Sequence, residues 1–147
     1  MARISLNDLP AFARLTIGRI AAYEKAAEGR AFVVYLSGDL GSGKTTFMRA
    51  FARELGIEGA VTSPTFVLMK NYPLSLGRFT HLVHIDAYRL ESAGEFEALK
   101  PAAFLNDPHA LVCIEWPEQV KDVLPAADLY IKFRAGEETG ARDIEIV

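Results

Sequence analysis

Apolar residues fall along this chain in two kinds of pattern. Phe32-Val33-Val34-Tyr35-Leu36, Leu82-Val83-His84-Ile85 and Leu111-Val112-Cys113-Ile114 are compact blocks with no polar face. Such blocks fit strands covered on both sides, as in a parallel sheet. Two other stretches repeat at helical spacing. One begins near Pro10, capped by Asn7 or Asp8, carries Phe12, Leu15, Ile17, Ile20 and Tyr23 towards Ala27, and closes at Gly29. The other spans residues 44–55 with Phe47, Met48, Phe51, Ala52 and Leu55 on one face, and stops at Gly56. Residues 61–69 are β-rich around Ser63-Pro64, and Ser92-Ala93-Gly94-Glu95 is a capping-box sequence opening a helical segment towards Leu105, ended by Asp107-Pro108. Beyond Asp128 the period changes to two: Leu129, Ile131 and Phe133, then Ile144 and Ile146 across the glycines 136 and 140, predict an antiparallel hairpin. The whole reads as one α/β domain over residues 1–147, with a mixed, largely parallel sheet flanked by helices and a C-terminal antiparallel hairpin.

Composition narrows the classes. A length of 147 residues and an apolar fraction of 50% suit one domain with one core. A formal charge of −3 with an isoelectric point of 5.6 argues against autonomous nucleic-acid binding, which needs clustered Lys and Arg. Cys113 is the only cysteine and sits inside an apolar run, so it reads as a small core residue in a reducing compartment. No run approaches a membrane span, and a cytoplasmic protein is the expectation.

The connection between residues 36 and 44 changes the picture most. Gly38-Asp39-Leu40-Gly41-Ser42-Gly43-Lys44-Thr45 satisfies G-x-x-x-x-G-K-[ST] in full, between a strand pattern and a helix pattern. Without a Cβ at Gly38, Gly41 and Gly43, consecutive backbone N–H groups can curl around phosphate oxygens at a helix N-terminus. Lys44 supplies a point charge to the terminal phosphates, and the Thr45 hydroxyl is placed for Mg²⁺. The motif predicts a nucleoside-triphosphate site of P-loop type that includes Thr46.

Hydrolysis further requires carboxylates to hold the cation or orient water. Asp86 and Glu115 each end an apolar strand block, at the sheet edge where α/β folds bind ligands. Ser63-Pro64-Thr65 reads equally as a switch segment whose hydroxyls reach Mg²⁺ or the terminal phosphate, and as a proline-marked strand start. His81, His84 and His109 lack metal-ligand spacing and read as core or surface residues. Trp116 reads as packing beside Pro117, and Tyr88 and Arg89 as a switch anchor, a partner contact or an ordinary ion pair.

Taken together, GDLGSGKTT at 38–46, Ser63-Pro64-Thr65-Phe66, His84-Ile85-Asp86-Ala87-Tyr88-Arg89-Leu90 and Glu115-Trp116-Pro117-Glu118 resemble, in order and spacing, the bacterial TsaE (YjeE) ATPases. Ala87 stands where that family often has a larger apolar residue. The resemblance implies a P-loop domain that binds ATP and Mg²⁺ and docks on the TsaD–TsaB pair. There hydrolysis resets the assembly that makes threonylcarbamoyladenosine on tRNA, and the tRNA is met only through the complex. It further implies that Lys44 and Thr45 serve phosphate and Mg²⁺, that Thr65 belongs to a switch-like segment, that Asp86 is the aspartate of the second nucleotide motif, and that Glu115 is an Mg²⁺-associated acid. Two other functions use the same motif: a small-molecule kinase, for which few residues remain to build a lid over an acceptor, and a nucleotide-sensing adaptor without useful turnover.

Overall fold

The computed structural model describes residues 2–23, 29–57, 59, 68–138 and 140–147. In chain order the elements are β1 (Ala2–Ser5), α1 (Leu9–Ala22), β2 (Phe32–Ser37), α2 (Lys44–Glu54), β3 (Met69–Leu76), β4 (Phe79–Asp86), α3 (Ala93–Glu97), α4 (Ala102–Leu105), β5 (Ala110–Glu115), β6 (Leu129–Ala135) and β7 (Ala141–Ile146). Short 3₁₀ turns occupy Leu6–Asp8 and Pro117–Val123.

All seven strands form one sheet in the order β1-β7-β6-β2-β5-β4-β3. Its centre is parallel: β2 pairs with both β5 and β6, and β5 with β4. Antiparallel strands close both margins, β3 on β4 at one side and the β6–β7 hairpin with β1 at the other. The three apolar blocks are the strands β2, β4 and β5, as their double-sided hydrophobicity requires.

Each of the central strands β2, β4 and β5 feeds two cores. Phe32, Val34, Leu36, Leu111, Cys113, Ile131 and Phe133 pack on one face against Ala13 and Ile20 of α1 and Phe47, Met48 and Phe51 of α2. Val33, Tyr35, Val83, Ile85, Val112 and Ile114 point to the other face, where Phe96, Phe104 and Val120 cover them. The alternation is the period of two in strand geometry, with apolar residues on both sides. Cys113 lies in the first core, and burial pushes its thiol pKa upward, so it is held as an inert thiol.

Several local expectations are revised. Asp8 precedes α1 but its carboxylate turns back, accepting from Ser5 N at 3.3 Å and Ser5 Oγ at 2.6 Å instead of capping the helix. The helical segment after Ser92 is two short helices, because Lys100 adopts a left-handed φ of 55° and Pro101 follows it. β1 has a single buried apolar residue, Ile4, too little periodicity to read from sequence. The β-rich stretch at 61–69 lies outside the described residues except for its last two positions. β3 runs on to Leu76 with Pro73 inside it, tolerated because β3 is an edge strand. Among the described residues no helix is long and apolar enough to cross a membrane.

The starts of β2 and β6 are tied by one carboxylate. Asp128 accepts from Arg30 Nη1 and Nη2 at 2.8 and 2.7 Å and from Val33 N at 2.8 Å. Asp128→Ala leaves the Val33 N–H and the guanidinium without this acceptor, and is expected to cost about 1–3 kcal/mol of stability in urea unfolding.

Candidate functional site

The phosphate-loop residues leave the end of β2, at the centre of the sheet, and turn directly into α2. Gly38, Gly41 and Gly43 have φ of 143°, 75° and 107°, values that side chains with a Cβ rarely adopt. At Gly38 there is a second constraint, since a Cβ would collide with the Phe133 carbonyl of β6. Ser42 N donates to Asp39 O at 3.0 Å and Phe47 N to Gly43 O at 2.8 Å, so loop and first helical turn form one hydrogen-bonded unit. Leu40 stands at the loop tip and is 70% exposed.

Lys44 is 5% exposed. Its ammonium donates to the Gly38 carbonyl, to Asp39 O at 2.9 Å and to Ser42 Oγ at 3.3 Å, and lies 4.1 Å from the centre of the Trp116 ring. Burial lowers its pKa, opposed by the carboxylates of Glu115, Glu118, Asp39 and Asp86. The ammonium is therefore held within the loop by neutral acceptors, in a negative surround, beside the place where phosphates would lie.

Two strand ends supply the acids. Asp86 and Glu115 are register partners on adjacent parallel strands β4 and β5. Glu115 is 1% exposed, and its two oxygens take different partners: Thr45 Oγ1 donates to Oε1 at 3.3 Å, and His84 Nε2 hydrogen-bonds Oε2 at 2.8 Å. Asp86 accepts from Tyr88 N at 3.0 Å. Trp116 follows Glu115 in a left-handed conformation with φ of 59°, and its ring centre lies 4.9 Å from that of Tyr88. The result is a cleft of about 370 Å³ lined by Leu40, Gly41, Gly43, Lys44, Thr45, Thr46, Asp86, Tyr88, Arg89, Glu115, Trp116 and Arg142.

The donor set suits a hard cation with a polyphosphate. Thr45 and Glu115 present a hydroxyl and a carboxylate in contact, with Asp86 alongside, all oxygen. Among the described residues no three His, Cys, Asp or Glu side chains gather into an all-protein metal cage. Mg²⁺ is commonly held in this way, by one or two carboxylates with water and substrate phosphates completing its shell.

The structure thus brings Lys44, Thr45, Thr46, Asp86 and Glu115 to one cleft with Leu40, Gly41 and Gly43. Gly38, Asp39 and Ser42 form the turn that holds the Lys44 ammonium. Thr65 lies outside the described residues. Two readings made from sequence change, and one residue is new. His84 is fully buried, but against Glu115 rather than as inert core. Its signal was the i, i+2 spacing from Asp86, which puts both on one face of β4. Trp116 packs at the cleft, over the lysine, not only beside Pro117. Arg142 was not singled out at all, because nothing near it in sequence connects the hairpin with the phosphate loop.

Burial raises the pKa of Asp86; the Tyr88 N–H opposes this, the Glu115 charge adds to it, and His84 and Lys44 oppose it. A carboxyl whose folded pKa lies above its unfolded value binds its proton more tightly when folded. Stability therefore falls as pH rises from the ordinary carboxylate range through the folded value. Asp86→Asn is expected to raise the thermal midpoint of the ligand-free protein at neutral pH, with the gain vanishing below the ordinary carboxylate range. A thermal-melt series against pH checks it.

Comparison with known proteins gives a consistent answer. The family described as "Threonylcarbamoyl adenosine biosynthesis protein TsaE" matches residues 11–144. The chain is 36% identical over 118 residues to the tRNA threonylcarbamoyladenosine biosynthesis protein TsaE of Haemophilus influenzae, covering 80% of this chain and 71% of that one. It is 35% identical over 136 residues to the protein of the same name from Bacillus subtilis, covering 92% and 77%. A crystal structure of Bacillus subtilis YdiB superposes with a TM-score of 0.65 at 27% identity, over 97% of this chain and 80% of that one. A match over nearly the whole chain, with the phosphate loop and both strand-end acids inside it, makes this chain a member of the TsaE family.

Proposed function

We propose that this chain is the Mg²⁺-dependent ATP-binding and ATP-hydrolysing subunit of the machinery that makes threonylcarbamoyladenosine on tRNA. Family membership supports the pathway and the ATPase class. The observation that carries the site is the convergence of Lys44 and Thr45 from α2, Asp86 from β4 and Glu115 from β5 on one cleft at the end of the parallel strands.

In this reading the loop N–H groups and Lys44 bind the phosphates. Thr45 and Glu115, with Asp86, hold Mg²⁺, whose chemistry is to offset charge on the phosphate oxygens. Asp86 or Glu115 orients the attacking water. The cleft is open at Leu40 and Tyr88, which are 70% and 44% exposed, and no described segment closes over it. Hydrolysis in the isolated chain is then slow, and docking on TsaD and TsaB orders the site, with residues 63–66 and 86–89 carrying the coupling. An acidic chain of charge −3 leaves tRNA binding to those partners.

Two measurements test this. Lys44→Ala removes a charge-assisted contact, so calorimetric titration is expected to show ATP affinity reduced about 10- to 150-fold, the equivalent of about 1.5–3 kcal/mol. Steady-state phosphate release is expected to rise when TsaD and TsaB are added, and Thr65→Ala to lose most of that increment while still binding ATP. Equal rates with and without the partners would instead make the chain an autonomous enzyme.

A further inference from the structure

We infer that Arg142 is a phosphate-contacting residue of the nucleotide site, delivered to the loop by the C-terminal hairpin; the inference rests on the ATP-binding reading above. β6 lies parallel to β2, and its Phe133 carbonyl is what excludes a Cβ from Gly38. β7 follows antiparallel, with Arg142 opposite Ala135 of β6 and Ile4 of β1. This register sets the Arg142 stem against the loop. A Cβ built on Gly43 would lie 3.3 Å from Arg142 Nε, 3.4 Å from Cδ and 3.5 Å from Cγ. Gly43 is the residue immediately before Lys44, so the guanidinium flanks the N–H groups that open α2, and Arg142 lines the same cleft.

The guanidinium is under-used where it sits. Nη1 donates to the carbonyl of neighbouring Ala141 at 2.8 Å, while Nε is buried with no hydrogen-bond partner. No described carboxylate lies within 4 Å of it, whereas Arg3 on neighbouring β1 meets Asp143 at 3.3 Å. A guanidinium keeps its charge at any working pH, so a desolvated N–H on it without an acceptor is costly. An anion in the cleft supplies the missing acceptor, and the group offers it a planar fork of donors.

Position also fixes what kind of contact this is. The acids cluster at Thr45 and Asp86, where the bond to be cleaved would be served, whereas Arg142 sits at Gly43 on the loop's flank. Its contact is therefore made equally to diphosphate and triphosphate, and it contributes binding rather than rate: substitution raises KM and leaves kcat near its original value.

The test titrates ADP and inorganic tripolyphosphate into wild-type protein and into Arg142→Met, which keeps the stem over Gly43 but not the charge. Arg142→Gln serves as a second neutral variant and Arg142→Lys as the conservative one, with thermal melts to confirm folding. Both neutral variants are expected to lose affinity for both ligands about 10- to 150-fold, and lysine to recover part of it. If Arg142→Met binds ADP as wild type does, the side chain only packs and the inference falls. Loss of ADP affinity without loss of tripolyphosphate affinity places the contact on the base or ribose and also overturns it. Wild-type protein that binds neither ligand defeats the ATP-binding reading itself, whereas binding that the wild type shows and both neutral variants keep in full defeats the inference alone.

Discussion

A carboxyl that is 1% exposed at the end of a central strand is tolerated only where its oxygens find partners, and Glu115 takes one from α2 and the other from β4. Those two hydrogen bonds lock the start of the phosphate-loop helix to the neighbouring strand ends. Thr45 cannot move without releasing Oε1, and the Glu115 side chain cannot rotate without releasing His84. The cleft's acidic side is accordingly part of the fold's own hydrogen-bonding.

The loop on the other side of the cleft obeys the opposite logic. Its backbone is fixed by positive-φ glycines and by the approach of Phe133, but its charge is provisional. The Lys44 ammonium is buried and satisfied by carbonyls of the loop itself, under a Trp116 ring held in a left-handed backbone conformation. Both features carry a cost: the lysine is desolvated, and a non-glycine residue sits at positive φ. The raised pKa of Asp86 belongs to the same account, since burial opposes its charged form and the Glu115 carboxylate on the adjacent strand end adds to this.

The hairpin is one of the two antiparallel margins that make the sheet mixed. A parallel β2-β5-β4 core with β6 beside it places the phosphate loop between two strand ends, as α/β sheets do at a ligand crevice. Turning back through β7 brings a second strand past that loop and closes the margin with β1, so the antiparallel addition both covers an edge and sets Arg142 beside Gly43.

Much of this was legible along the chain because it is written in local chemistry. Three blocks apolar on both faces specify doubly covered strands, the glycines and Lys44-Thr45 specify an anion-binding turn, and acids directly after strand blocks specify carboxylates at the sheet edge. Each depends on residues within a few positions of one another. What sequence left open depends on partners far apart in the chain: 31 residues separate His84 from Glu115, and Arg142 reaches Gly43 only through the register of two strands. A buried histidine looks the same in sequence whether it faces leucine or a carboxylate. Lys100 and Pro101 break one helix into two, and Pro73 is accommodated because its strand is an edge. Sequence determined the central strands, the two long helices, the hairpin and the phosphate-loop turn, since local periodicity and steric permission suffice for these. Tertiary structure alone decided strand order, and with it which side chain answers each buried polar atom, because register aligns residues that no local pattern relates.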